Sequence, residues 1–166
     1  SFEAYPIAVA AAAATSVQVP VTADGRHDLD AMAAAITDRT RAVIVCTPNN
    51  PTGPAVAQAE LDAFLDRVPD HVVAVVDEAY LEFVRMDDAV DGLATSNRRP
   101  NVVLFRTFSK AYGLGGVRVG YALCGQDAVA EAFRRIKLQF NVTALGYAAA
   151  EAALESRHHL PEPESA

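Results

Sequence analysis

Polar residues with chemical capability follow a series of apolar runs in this chain. Asn50 follows Ala42-Val43-Ile44-Val45-Cys46, inside the turn cluster Pro48-Asn49-Asn50-Pro51-Thr52-Gly53-Pro54. Asp77 and Tyr80 follow Val72-Val73-Ala74-Val75-Val76. Thr107, Ser109 and Lys110 follow Val102-Val103-Leu104-Phe105, and Arg118 comes eight positions after Lys110, beyond a glycine-rich turn. A lysine amine is a nucleophile when neutral. A phenol and an amide are hydrogen-bond donors, and a carboxylate and a guanidinium bring opposite fixed charges. A convergent lysine, carboxylate, phenol and amide, with an arginine nearby, suits a phosphorylated aromatic cofactor.

Convergence requires elements that deliver these residues to one place. The apolar runs at 41–47, 72–76 and 102–105 are short and β-branched, which predicts strands buried on both faces. Alternation at 17–21 predicts a further short strand, and 117–124 another. Asp28 can cap a helix over 28–36, with Leu29, Met32, Ala33 and Ile36 on one face. Residues 56–68, 126–139 and 144–155 also read as helices, and 87–100 as a surface loop or short helix. Strands alternating with helices predict an α/β fold with a mainly parallel sheet and flanking helices. In such a sheet ligands bind at the carboxyl ends of the strands. Asn50 and Asp77 lie 27 positions apart, about one βαβ unit. The acids Asp77 and Glu78 are adjacent at a strand end and are expected on different sides, which argues against a metal pair.

The 166 residues are enough for one domain with a sizeable core. A formal charge of −7 leaves no electrostatic footprint for nucleic acid or an anionic membrane surface. The apolar stretch 8–14 is far too short to span a bilayer. Cys46 and Cys124 lie in apolar runs and read as buried, reduced thiols of a cytoplasmic protein. The chain opens at Ser1 and is expected to begin inside a fold. Residues 1–155 are expected to form one domain, and the proline-containing stretch 156–166 a polar, disordered tail.

Four motifs in order, Asn49-Asn50-Pro51-Thr52-Gly53, Asp77-Glu78-Ala79-Tyr80, Thr107-Phe108-Ser109-Lys110 and Gly116-Val117-Arg118-Val119-Gly120, resemble those of fold-type I aminotransferases dependent on pyridoxal 5′-phosphate (PLP). The histidinol-phosphate and aromatic amino acid subgroup is the nearest likeness, supported by Ser1-Phe2-Glu3-Ala4-Tyr5-Pro6 and by residues 106–121. The resemblance spans about residues 1 to 150. It implies the large, PLP-binding domain of that fold, truncated at both ends.

The resemblance also implies roles. Lys110 would form the Schiff base with the cofactor and shuttle the substrate's α-proton. Asp77 would pair with the pyridinium nitrogen and keep the ring able to absorb electrons. Tyr80 and Asn50 would donate to the ring oxygen. Arg118 would hold the phosphate through two hydrogen bonds, helped by Ser109 and Thr107. Phe2 stands where relatives stack an aromatic on the ring, with a core phenylalanine as the alternative reading. The implied reaction moves an amino group between an aromatic amino acid or histidinol phosphate and a 2-oxo acid such as 2-oxoglutarate. The complete enzyme would be a homodimer. A PLP-dependent decarboxylase of the same fold, and an inactive fragment, remain as alternatives.

Other signals point elsewhere and are weaker. Gly113, Gly115 and Gly116 suggest a dinucleotide loop, yet the third glycine of that pattern would fall on Arg118. Asn141-Val142-Thr143 matches a glycosylation acceptor without any sign of secretion. His158-His159 has no cysteine partners for a metal.

Overall fold

The computed structural model describes residues 1–156. The tail expected beyond that point, with its His158-His159 pair, lies outside the described residues. Four strands form one sheet in the order β1 (Ala42–Cys46), β2 (Val73–Asp77), β3 (Val102–Thr107) and β4 (Gly120–Cys124). The first three run parallel, and β4 is antiparallel to β3. The expected α/β architecture is therefore present, with one reversed edge strand.

Register decides what meets at the carboxyl edge. Cys46 pairs with Asp77 and Asp77 with Phe105, so the last residues of β1 and β2 lie in one row with Phe105 of β3. Thr107 pairs with Gly120, so the antiparallel β4 starts at the edge where β3 ends. A parallel fourth strand would have needed a helical crossover. The connection made here is instead a loop whose two ends are joined by Phe108 N donating to Val119 O, with Leu114 N in its middle donating to Phe108 O.

The helices are α1 (Ala4–Ala11), α2 (Leu29–Ala34), α3 (Gln58–Leu65), α4 (Gly92–Arg98), α5 (Asp127–Ile136) and α6 (Ala144–Glu155). Asp28 caps α2 as expected, its Oδ1 accepting from Ala31 N at 2.9 Å. Glu60 Oε2 accepts from Ala57 N at 2.9 Å and so satisfies one free donor at the start of α3. Asp91 caps α4 through Ala94 N. The helical periodicity at 56–68 outruns the helix, because Val56 and Val68 are buried in the irregular segments that flank it.

Side-chain alternation along the strands splits the sheet into two faces. Val45, Ala74, Val76, Val102 and Leu104 turn to one face and pack with Leu61, Phe64 and Leu65 of α3. Leu29, Met32 and Ala33 of α2 cover the same core. Cys46, Asp77 and Phe105 therefore turn to the opposite face, where Phe133 of α5 meets Phe105 edge-on at 5.9 Å. A second cluster joins Phe108 and Val119 to Ala150 and Ala153 of α6, under the loop that follows β3.

Three expectations fail for physical reasons. Residues 17–21 are not a strand, for no neighbouring chain pairs with them and Val17 is exposed. Alternation alone does not make a strand without a hydrogen-bonding partner. The strand expected at 117–124 begins only at Gly120, because Arg118 is left-handed, with φ 57°. Cys124 is half-buried where a buried thiol was expected; Cys46 is buried, and both are free. The helix α1 was not anticipated at all.

Leu61 and Phe64 are fully enclosed and anchor α3 to the sheet. Phe64→Ala should lower unfolding stability by about 4 kcal/mol, measured by urea denaturation.

Candidate active site

Asp77 ends β2 on the face opposite the main core. Its Oδ1 accepts from Ala79 N at 3.0 Å and its Oδ2 from the Tyr5 hydroxyl at 2.7 Å. The carboxylate thus has one local anchor and one from α1. Tyr80, in the turn after β2, lies with its hydroxyl 3.4 Å from the Asn50 amide nitrogen, which arrives from the turn after β1. The Lys110 ammonium sits 5.0 Å from the centre of the Tyr80 ring. The Asn50 amide, the Tyr80 phenol and the Lys110 amine, carried beyond three successive strands, therefore meet at one place, while the Asp77 carboxylate bonds to Tyr5 and Ala79.

The loop after β3 brings in the remaining groups. Ser109 N donates to Thr107 Oγ1 at 3.0 Å, folding the chain tightly beyond the strand. Gly113, at φ 68°, receives the turn that starts at Lys110, donating its N–H to Lys110 O at 2.8 Å. Arg118 Nη1 donates to Gly115 O at 2.8 Å and lies 3.5 Å from Ser109 Oγ. The left-handed backbone at Arg118 is uncommon for a residue with a side chain. It turns the guanidinium back toward Ser109 before β4 begins. Lys110 and Arg118 are exposed, while Asp77, Tyr80, Asn50, Thr107 and Ser109 are half-buried.

Phe2 is also at this end of the molecule, but at one remove. It is 43% exposed, so it is not the core phenylalanine that was the other reading. Its ring stands edge-on to Tyr5 at 5.7 Å, and Tyr5 in turn reaches Asp77. Tyr5 itself carried no role in the sequence. The one available signal was its spacing of three from Phe2, which puts both on one face of a helical turn.

Glu78 takes the opposite face from Asp77, as strand alternation requires. Its side chain is 1% exposed and its Oε2 accepts from Arg106 Nε at 2.7 Å. Oε1 lacks a partner among the described residues. It lies so close to Gly92 that a Cβ there would come within 2.2 Å of it. Burial pushes the Glu78 carboxyl above the usual range, against the opposing pull of Arg106. This ion pair joins the end of β2 to β3, and so ties the strand bearing Asp77 to the one leading to Lys110.

Residues 1–163 match the family model of aminotransferase class I and II. The chain belongs to that family. It is 56% identical over 160 residues to an aromatic amino acid aminotransferase of Rhodococcus opacus, covering 96% of this chain and 44% of that protein. A second aromatic amino acid aminotransferase, from Nocardia farcinica, is 54% identical over 164 residues, covering 98% of this chain and 46% of that protein. The crystal structure of histidinol-phosphate aminotransferase from Sinorhizobium meliloti, in complex with pyridoxal-5′-phosphate, superposes with a TM-score of 0.86 at 36% identity. That match covers 94% of this chain and 42% of the other. The chain thus spans less than half the length of the curated aminotransferases it matches.

The buried Glu78–Arg106 pair gives a test of how the rim is braced. Glu78 has a raised carboxyl in the folded chain, so its contribution to stability is present at low pH and is lost as pH rises through the raised value. Arg106→Met removes the opposing charge and raises that carboxyl further. The variant should lose about 3 kcal/mol at pH 7, and its gap to the native chain should narrow at pH 5, by urea denaturation at both pH values.

Proposed function

We propose that this chain is the cofactor-binding part of a PLP-dependent aminotransferase. It would act on an aromatic amino acid or histidinol phosphate, with a 2-oxo acid such as 2-oxoglutarate as partner substrate. One observation carries the reading: Lys110 stands over Tyr80 while Asn50 lies beside the Tyr80 hydroxyl. The identity of 56% to an aromatic amino acid aminotransferase supports the substrate class.

The residues fit a phosphorylated pyridine. The Asp77 oxygens each have one partner in the chain, and a carboxylate has about four lone-pair positions, so acceptor capacity remains for a ring N–H. The Asn50 amide and the Tyr80 phenol are two neighbouring donors suited to one ring oxygen. Arg118, Ser109 and Thr107 form a cationic and hydroxyl-bearing group suited to a phosphate. Phe2 is exposed enough to lie against a ring face. When bound, PLP supplies a ring that takes up electron density from the substrate's α-carbon. The rest belongs to the chain. Lys110 would hold the cofactor covalently through its amine, and the same amine would carry the substrate's α-proton. Asp77 would hold the proton on the ring nitrogen.

The complete enzyme would be a cytoplasmic homodimer. Among the described residues no helix is long and apolar enough to cross a membrane. Leu138, Phe140, Leu145 and Tyr147 form an exposed apolar stretch, which supports an interface there.

The test is an absorbance titration of the purified chain with PLP. The native chain should develop a yellow, borohydride-reducible adduct. Lys110→Ala should lose it, and Asp77→Asn should keep it while lowering transamination in a full-length relative about a hundredfold or more. No adduct in the native chain would remove the proposed function.

A further inference from the structure

We infer that Tyr5 is a positioning residue for the cofactor site. Its hydroxyl fixes the Asp77 carboxylate in the orientation from which the second lone pair of Oδ2 can meet a ring nitrogen. This rests on the function proposed above and assigns a part in it to a residue that touches no substrate.

The geometry is specific. Asp77 has two anchors, Ala79 N at 3.0 Å and Tyr5 Oη at 2.7 Å, one on each oxygen. The first is two positions away and moves with the turn itself. The second comes from α1, 72 positions away, and ties the carboxylate to a different element. With the Tyr5 bond lost, the carboxylate keeps a single anchor and can rotate about its Cβ–Cγ bond. Tyr5 also holds the edge of Phe2 at 5.7 Å. One side chain therefore sets both the carboxylate and the aromatic proposed to lie on the ring.

Tyr5 is well suited to donate. Burial, then the hydrogen bond to Asp77, pushes its phenol far above the ordinary tyrosine range, so the O–H stays in place across neutral pH. The Cys46 thiol, the other titratable neighbour of this hydroxyl, is raised by burial and stays neutral. The charge facing Tyr5 is then that of Asp77. A bond from a neutral donor to a charged acceptor is among the stronger kinds.

The test is a double-mutant cycle read as PLP affinity, in the 166-residue chain, by absorbance titration with borohydride trapping of weak adducts. Tyr5→Phe removes one oxygen atom from a half-buried ring. It should weaken PLP binding about tenfold in the native background. In the Asp77→Ala background the same change should have an effect of less than about twofold, because the group it orients is gone. Equal losses in both backgrounds, or no loss in either, would overturn the role. A readout without cofactor accompanies it. Ultraviolet titrations of the native chain and of Tyr5→Phe should coincide through the ordinary tyrosine range near pH 10. A difference of one phenol there would mean that Tyr5 is not held by Asp77, and would also overturn the inference. A native chain that takes up no PLP while the two curves coincide would remove the proposed function instead, and reduce the Tyr5–Asp77 bond to a structural contact.

Discussion

Parallel pairing of β1, β2 and β3 places three chain exits on one edge of the sheet, and the site depends on that edge. The row Cys46, Asp77, Phe105 is continuous across the three strands. Whatever follows those residues has only a few positions in which to turn before it faces its neighbours. Asn50, Tyr80 and Lys110 all sit within that short reach. Were any one pairing shifted by a residue, Asp77 would exchange faces with Glu78 and put its charge into the apolar core. The packing of Val45, Val76 and Leu104 against α3 therefore holds the register, and the register holds the chemistry.

The reversed strand β4 extends the same logic. Its first residue lies beside the last residue of β3, so the loop between them leaves and rejoins the sheet at the carboxyl edge. Arg118 rides on that loop. Its left-handed backbone and its bond to Gly115 aim it at Ser109. Phe108 and Val119, buried with Ala150 and Ala153, pin both ends of the loop from beneath. The site has in this way a local chemistry and two separate supports, the main core under the strands and the small cluster under the loop.

Much of this was legible in the sequence, and the limits are instructive. The three parallel strands announced themselves as β-branched runs, and Asp28 as a helix cap, because both signals are local. The meeting of Asn50, Tyr80 and Lys110 followed from the rule that parallel strands share an edge, whereas the roles proposed for them and for Asp77 rest on motif resemblance. The direction of β4 was not legible, since a strand sequence is the same read as parallel or antiparallel. Residues 17–21 had the right alternation and no partner, and pairing is a property of the neighbour. Helix α1 escaped because its alanine-rich stretch has little contrast between faces. Tyr5 escaped with it, since a hydrogen bond across 72 positions leaves no trace in local pattern. The Glu78–Arg106 pair was hidden for the same reason.

The chain has two lysines, Lys110 and Lys137, and both are exposed. Accessibility alone would let PLP label either one. The surroundings differ: Lys110 stands over Tyr80 with Asn50, Ser109 and Arg118 nearby, whereas Lys137 follows the end of α5. Borohydride reduction of the PLP-treated chain, followed by mass-spectrometric mapping of the labelled peptides, separates the two. Label confined to Lys110 at substoichiometric PLP is the expected result. Label shared evenly between Lys110 and Lys137, or carried mainly by Lys137, would contradict a built cofactor site at this edge of the sheet.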